Sequence, residues 1–248
     1  MDFIDLQDGS GYRVPFINKW ASNSYSLGIQ LKDWLNEEGV SVTLEEEFKF
    51  LGFKWCQSSD RIGVFVEKSV TGGKGEKPTK RLILKTLATI FDPLGLVSPL
   101  TIRLKIWLQE LWKIKVDWDK VLEQEAVIRL QQIITELRSS GNIMVDRPLK
   151  AENCQPIKRE LHAFSDASMA AYGAVIFLRE LFEKRAPRVS WVLAKARVAP
   201  LKGKWTIHRL ELLGAIIAVR LMHITKNILV SLLMKHSSIV TIWQLWVG

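Results

Sequence analysis

The 248-residue chain has few cysteines and no uninterrupted apolar run long enough to span a membrane. Its two cysteines, Cys56 and Cys154, fit neither a metal-binding spacing nor a disulfide framework, which favours a reducing compartment. The first five residues are acidic where a secretory signal needs a cationic start. The most apolar window, residues 212–234, is interrupted by Arg220 and Lys226. We therefore expect an intracellular, cytoplasmic protein without a membrane span.

Positive charge is confined to one part of the chain. Residues 157–248 carry 14 Lys and Arg against 5 Asp and Glu, whereas the first 156 residues carry 21 of each. A cationic surface of this kind suits a polyanionic substrate that is held through its phosphates. A basic surface that serves solubility alone would give the same count, so charge does not decide between the two.

Composition and periodicity divide the chain into four stretches. Residues 1–68 predict a small α+β segment, and residues 69–79 form a Gly- and Lys-rich linker without the spacing of a phosphate-binding loop. Residues 80–155 predict a helical connecting region. Residues 156–248 predict a mixed α/β unit. The elements predicted before this unit are helices over 26–38, 79–90, 99–115 and 123–138 and strands over 47–55 and 62–66.

In the last stretch the periodicity changes from strand-like to helical. Its elements are predicted to follow one another in the order β-β-β-α-β-α, without an internal repeat. The predicted elements are strands over 161–164, 172–178 and 189–198, a helix over 207–229, a strand over 230–234 and a final helix over 237–246.

Two carboxylates lie at positions that are unusual for charged side chains, next to the predicted core. Asp166 follows the alternating residues 161–165, at the end of a strand, and Glu211 lies near the start of the long helix. At about 100° per residue, Glu211 faces away from Arg209 and shares its stripe with Gly214 and other small residues that allow close packing on a sheet. An acid at a strand end and another on the inner face of a helix are typical of a divalent-metal site.

Each carboxylate also has an ordinary interpretation. Asp166 could form a simple Asx turn after the strand. Glu211 could be favoured near a helix N-terminus by the macrodipole, or it could pair with Lys195 or Arg197. The residues alone leave these alternatives open.

Several short motifs follow one another along the chain. In them the chain resembles Pao-type (BEL/Pao) LTR retrotransposon polyproteins, from the tail of the reverse transcriptase through a connecting segment to the ribonuclease H-like region. The motifs are Lys-Trp-Ala-Ser-Asn at 19–23, Leu-Gly-Phe-Lys-Trp at 51–55, Phe-Asp-Pro-Leu-Gly-Leu at 91–96, Leu-His-Ala-Phe-Ser-Asp-Ala-Ser at 161–168, Ala-Lys-Ala-Arg-Val-Ala-Pro at 194–200 and Thr-Ile-His-Arg-Leu-Glu-Leu at 206–212.

The resemblance implies an α/β (α+β mixed) fold. A C-terminally truncated ribonuclease H-like mixed sheet with flanking helices would follow the helical connecting region and the reverse-transcriptase tail. It also implies two Mg²⁺ held by a carboxylate cluster, with Asp166 and Glu211 among the ligands, and hydrolysis of the RNA strand of an RNA–DNA hybrid. The residues expected to contact nucleic acid are Lys195, Arg197, Lys202 and Lys204.

The chain also departs from the family pattern. His236 stands where a third metal-binding Asp is expected after a fourth strand, and a neutral imidazole is a poor ligand for Mg²⁺. No Asp or Glu follows Glu211, no Asp-Asp pair supplies a polymerase centre, and no Asp-Thr-Gly or Asp-Ser-Gly triplet supports a peptidase. We therefore predict little or no nuclease activity. The alternatives are a non-catalytic remnant that binds nucleic acid through the basic surface of residues 157–248, and a metal-independent interaction module.

Overall fold

A computed structural model describes residues 47–50, 53–56, 58–64, 66, 77–141, 143–147, 155–233 and 239–245. These residues form two four-stranded sheets and four helices. In chain order the elements are β1 (Glu47–Phe50), β2 (Phe53–Cys56), β3 (Arg61–Val64), α1 (Lys80–Thr89), α2 (Ser98–Lys113), α3 (Gln124–Ser139), β4 (Ile143–Asp146), β5 (Lys158–Ala167), β6 (Ala171–Leu181), β7 (Arg188–Val198), α4 (Ile207–Leu233) and β8 (Ile239–Leu245).

The first sheet is antiparallel, in the order β1-β2-β3-β4. The prediction of one strand over 47–55 is wrong, because Phe50 pairs with Phe53 and the chain reverses between them. The strand β4 was not predicted, because four residues are too few to show a period. The helix predicted over 26–38 lies outside the described residues.

The helices α1, α2 and α3 pack on this sheet around one core. Buried side chains of the sheet, such as Val64, and of the helices, such as Leu104 and Leu137, belong to the same cluster. Thr79 caps α1 by accepting the Leu82 amide at 3.2 Å. The three helices predicted over 79–90, 99–115 and 123–138 are confirmed. This core combines residues from both sides of the predicted linker, and the proposed division into segments stays a prediction.

The second sheet is mixed, in the order β7-β6-β5-β8. β5, β6 and β7 form an antiparallel meander, whereas β8 pairs with β5 in parallel. A parallel partner requires a crossover, and α4 supplies it. Leu161 and Ile176 of the sheet and Leu210 and Leu221 of α4 share the second core. The predicted mixed sheet with a flanking helix is confirmed.

The prediction for the last 20 residues is wrong in two places. α4 continues to Leu233 through the strand predicted over 230–234, and β8 replaces the helix predicted over 237–246. Short apolar runs do not by themselves distinguish a strand from a buried helix. Residues 230–233 contain no Gly or Pro to end α4, whereas β-branched residues dominate 239–242 and favour a strand. By length and composition α4 could also cross a membrane, but its apolar face packs here on β5 and β6.

The two cores meet at the edge of β7. The Leu94 carbonyl, in the turn before α2, accepts the Ala194 amide at 2.9 Å. Gly95 has a φ of +71°, and a Cβ at this position would lie 2.1 Å from the Ala194 oxygen. Only glycine allows this approach. The turn therefore covers an edge strand that would otherwise expose unpaired backbone groups.

Candidate metal and nucleic-acid site

One end of the second sheet collects the predicted acids. The strand register places Asp166 of β5, Gly173 of β6 and Ala196 of β7 in one row. α4 crosses this row at Gly214, where a Cβ would lie 3.3 Å from the Asp166 carbonyl oxygen and 3.5 Å from that of Gly173. Glu211 lies three residues before Gly214, about one helical turn. The close contact of Gly214 therefore holds the acid of the helix beside the end of the strand that carries Asp166.

Asp166 is exposed at the end of β5. Leu161 and Ala163 face α4, so strand alternation directs Asp166 to the other face of the sheet, together with Phe164. Its Oδ1 accepts the amide of the adjacent Ala167 at 2.8 Å, whereas an Asx turn would use the amide two residues on. A carboxylate has about four lone-pair sites, so this bond leaves capacity for a cation.

Glu211 is partly buried on the inner side of α4. Its side chain is 20% exposed, and its Oε2 lies 3.4 Å from Nδ1 of His208. Arg209 and Arg220 are exposed, which confirms the predicted outer face of this helix. Among the described residues, the side chain beside the Glu211 carboxylate is His208 rather than Lys195 or Arg197.

The two carboxylates form a limited donor set. Within the part of the chain that the structure describes, no group of three or more His, Cys, Asp and Glu side chains could hold a metal ion. Mg²⁺ commonly binds through one or two carboxylates when water and substrate phosphates supply the other oxygen ligands. Asp166 leaves β5 on the face opposite α4, so an ion shared with Glu211 would lie beyond the end of the strand and would need oxygen ligands from outside the protein as well.

His236 lies outside the described residues. Its assignment as a replaced third acid stays a prediction, but the strand over 230–234 on which the assignment depended is wrong. In the parallel pair, Ile239 at the start of β8 lies beside Arg159, and Leu245 at its end lies beside Ser165. The end of β8, rather than its beginning, therefore approaches the Asp166 end of the sheet.

Cations lie at the same end of the sheet. Lys195 and Arg197 flank Ala196, and they pair with Ala174 and Tyr172, whose side chains belong to the core beneath α4. Strand alternation therefore places both cations on the α4 side of β7.

The environment of Lys195 involves three structural elements. Its pKa is lowered to about 8, because burial disfavours the charged form and because Arg197, Lys105 and Arg220 add repulsion. Lys105, on α2, was not among the predicted site residues. A contact between α2 and β7 joins distant parts of the chain, and no local sequence pattern signals it.

Lys202 and Lys204 are exposed in the loop between β7 and α4. The Trp205 indole N–H donates to the Lys202 carbonyl at 2.7 Å, and the Arg209 guanidinium donates to the Lys204 carbonyl at 2.9 Å. These bonds hold the backbone of the loop while the two ammonium groups stay in solvent. Because these bonds already hold the loop, its two lysines can contact phosphates without a further ordering step.

Comparison with known proteins gives one family match. The family model described as the Pao retrotransposon-like RNaseH-like domain matches residues 79–244. No curated protein matches the chain.

Among solved structures, the chain is similar to a foamy viral protease-reverse transcriptase in complex with dsDNA, with 14% sequence identity and a TM-score of 0.43. The match covers 82% of this chain and 46% of the viral chain. A foamy viral protease-reverse transcriptase in complex with an RNA/DNA hybrid has 16% sequence identity and a TM-score of 0.39. That match covers 79% of this chain and 24% of the viral chain. The chain thus spans less than half of these proteins, and likenesses this weak support no statement about activity.

Proposed function

The chain belongs to the family of Pao retrotransposon-like RNaseH-like domains, and from this premise we propose that it binds RNA–DNA hybrid beside a two-carboxylate Mg²⁺ site and has little nuclease activity. The supporting observation is the packing of Gly214 on the carbonyls of Asp166 and Gly173. This contact brings α4, and with it Glu211, to the strand end that carries Asp166. The basic residues of β7 lie at the same end of the sheet and suit the phosphates of a bound hybrid.

The roles of the two acids follow from their chemistry. Mg²⁺, when bound at such a site, activates the attacking water and stabilises the leaving oxygen of a phosphodiester. Asp166 and Glu211 would supply two negative charges and oxygen ligands. Two-metal hydrolysis needs more ligands than two carboxylates provide, and the described residues hold no group of three or more His, Cys, Asp and Glu side chains that could bind a metal ion. We therefore propose weak metal binding rather than robust cleavage.

Metal binding is tested by removing one acid at a time. With a bound hybrid that resists cleavage, Asp166→Asn and Glu211→Gln should each weaken the binding of Mn²⁺, used as a probe for Mg²⁺, by about tenfold or more, because each removes one of two anionic ligands. Electron paramagnetic resonance of free Mn²⁺ measures the change. Glu183→Gln is the control, because Glu183 is exposed in the turn at the opposite end of the sheet. Equal Mn²⁺ affinity in all three variants would rule out the site.

A cleavage assay tests the predicted low activity. With Mg²⁺ or Mn²⁺, the unaltered chain should release no more product from a labelled hybrid than Asp166→Asn does. Robust cleavage that disappears in Asp166→Asn would show that the chain is an active nuclease. Salt-dependent hybrid binding that is insensitive to Mn²⁺ and to both acids would favour the alternative, a non-catalytic binding remnant. A cytoplasmic location stays a prediction from the sequence.

A further inference from the structure

We propose that α2 contributes to nucleic-acid binding through a basic seam, defined as Lys105 of α2 with Lys195 and Arg197 of β7, which holds a backbone phosphate of the hybrid about three nucleotides from the Asp166 end. The proposal rests on the proposed function, because it assumes a bound hybrid. It goes further by assigning a phosphate contact to a helix outside the second sheet.

The position of Lys105 follows from two contacts that fix α2 along β7. The Leu94 carbonyl before the helix accepts the Ala194 amide at 2.9 Å, and the Gln109 side chain donates to the Ala199 carbonyl at 2.6 Å. Lys105 lies four residues before Gln109 and therefore on the same side of α2. The residues at these contacts, Ala194 of β7 and Ala199 directly after it, bracket Lys195 and Arg197. The helix side that carries Lys105 thus faces the basic part of the strand.

The seam lacks compensating negative charge. Among the described residues, no carboxylate forms an ion pair with Lys195 or Arg197. Burial lowers the pKa of Lys105 and the charge of Asp92 opposes that shift, but the two carboxylate oxygens of Asp92 already accept the Leu96 and Val97 amides at 2.8 and 2.9 Å. Like charges gathered in a partly buried place are costly, and a phosphodiester anion would relieve that cost.

The register also sets the distance from the acids. Ala196, between the two cations of β7, lies two strands away from Asp166 in the same row. At the usual spacing of adjacent strands this separation is about 10 Å. One strand of a nucleic-acid duplex carries a phosphate about every 3.4 Å along the axis, so the separation corresponds to about three nucleotides. Lys195 and Arg197 lie on the α4 face of the sheet, as Glu211 does, so a strand whose phosphate lies at this end of the sheet would reach the seam along that face.

The salt dependence of hybrid binding tests the seam. We expect Lys105→Gln and Lys195→Gln each to reduce the slope of log affinity against log salt by about 1, and to weaken binding at low salt by about 3- to 10-fold. Fluorescence anisotropy with a labelled hybrid measures both. Lys184→Gln, in the exposed turn at the far end of the sheet, removes the same charge and should leave the slope unchanged.

The outcomes separate the two proposals. If the unaltered chain binds hybrid and Lys105→Gln behaves as Lys184→Gln does, the seam is wrong and the proposed function stands. If the unaltered chain does not bind hybrid at all, both are wrong. Lys105→Arg keeps the charge and should retain the full slope. A loss of slope in that variant would show that the effect of Lys105 is structural and would overturn the phosphate contact.

The pH dependence of binding tests Lys195 separately. Burial, together with the charges of Arg197 on its own strand, Lys105 of α2 and Arg220 of α4, lowers its pKa to about 8. It is therefore charged at pH 7 and neutral well above pH 8, so hybrid affinity at fixed salt should fall by about 3- to 10-fold between pH 7 and 9. Lys195→Arg stays charged throughout and should show a flatter profile. An equal fall in both proteins would exclude Lys195 as the phosphate ligand that titrates.

Discussion

Replacing Gly95 with alanine should lower the free energy of unfolding by about 3–5 kcal/mol. Two costs combine at this position. The backbone has a φ of +71°, which costs a residue with a Cβ about 1–2 kcal/mol. The added Cβ would also lie 2.1 Å from the Ala194 carbonyl oxygen, a backbone atom of β7 that cannot rotate away. The turn before α2 must therefore lift from the strand.

Gly141 provides a matched control for this prediction. Its φ is +63°, but a Cβ there would meet nothing within 4 Å. Gly141→Ala should therefore cost only the backbone term, about 1–2 kcal/mol. Urea unfolding of both variants measures the difference. Equal destabilisation would mean that the contact of Gly95 with β7 contributes nothing.

The Gly95 variant should also lose its local protection. The Ala194 amide donates to the Leu94 carbonyl, next to Gly95. Hydrogen exchange within β7 should therefore accelerate in Gly95→Ala and stay unchanged in Gly141→Ala. Because α2 carries Lys105, the salt dependence of hybrid binding should also decrease in Gly95→Ala. Stability, edge protection and nucleic-acid binding thus depend on one turn.

The sequence predicts those parts of the fold that local periodicity determines. Strand alternation placed Asp166 at the end of a strand, and the helical wheel placed Glu211 on the side of Gly214, where α4 does meet the sheet. The exposure of Arg209 and Arg220 agrees with the same wheel. These positions follow from the repeat of a single helix or strand, so no knowledge of distant contacts is needed.

The errors and omissions involve short elements and long-range pairings. Four residues of β4 pair with β3 across the whole helical region, and nothing local in them specifies a strand. Lys105 joins the cations of β7 only because α2 packs along that strand. In the C-terminal stretch, propensity and apolar content are compatible with either a helix or a strand. The parallel pairing of Ile239–Leu245 with β5 makes this segment a strand.

Replacing Gly214 with valine should separate the two acids and lower the free energy of unfolding by about 2–4 kcal/mol. A Cβ alone would lie 3.3 Å from the Asp166 carbonyl oxygen and 3.5 Å from that of Gly173. Gly214→Ala should therefore change stability by no more than about 1 kcal/mol, since the gain in helix propensity offsets the tight contact. The two methyl groups of valine extend further toward these backbone atoms and must push α4 outward.

The binding of Mn²⁺ with a bound hybrid distinguishes this displacement from simple destabilisation. In Gly214→Val, at temperatures where the protein stays folded, Mn²⁺ affinity should fall as far as in Glu211→Gln, about tenfold or more, because Glu211 moves away with the helix. Leu212→Val is the control for a β-branched residue in α4, since Leu212 is 62% exposed. It should keep both stability, within about 0.5 kcal/mol, and Mn²⁺ affinity. If Gly214→Val kept its Mn²⁺ affinity, Asp166 and Glu211 would not share an ion, because their joint action depends on the close packing that only a small residue permits.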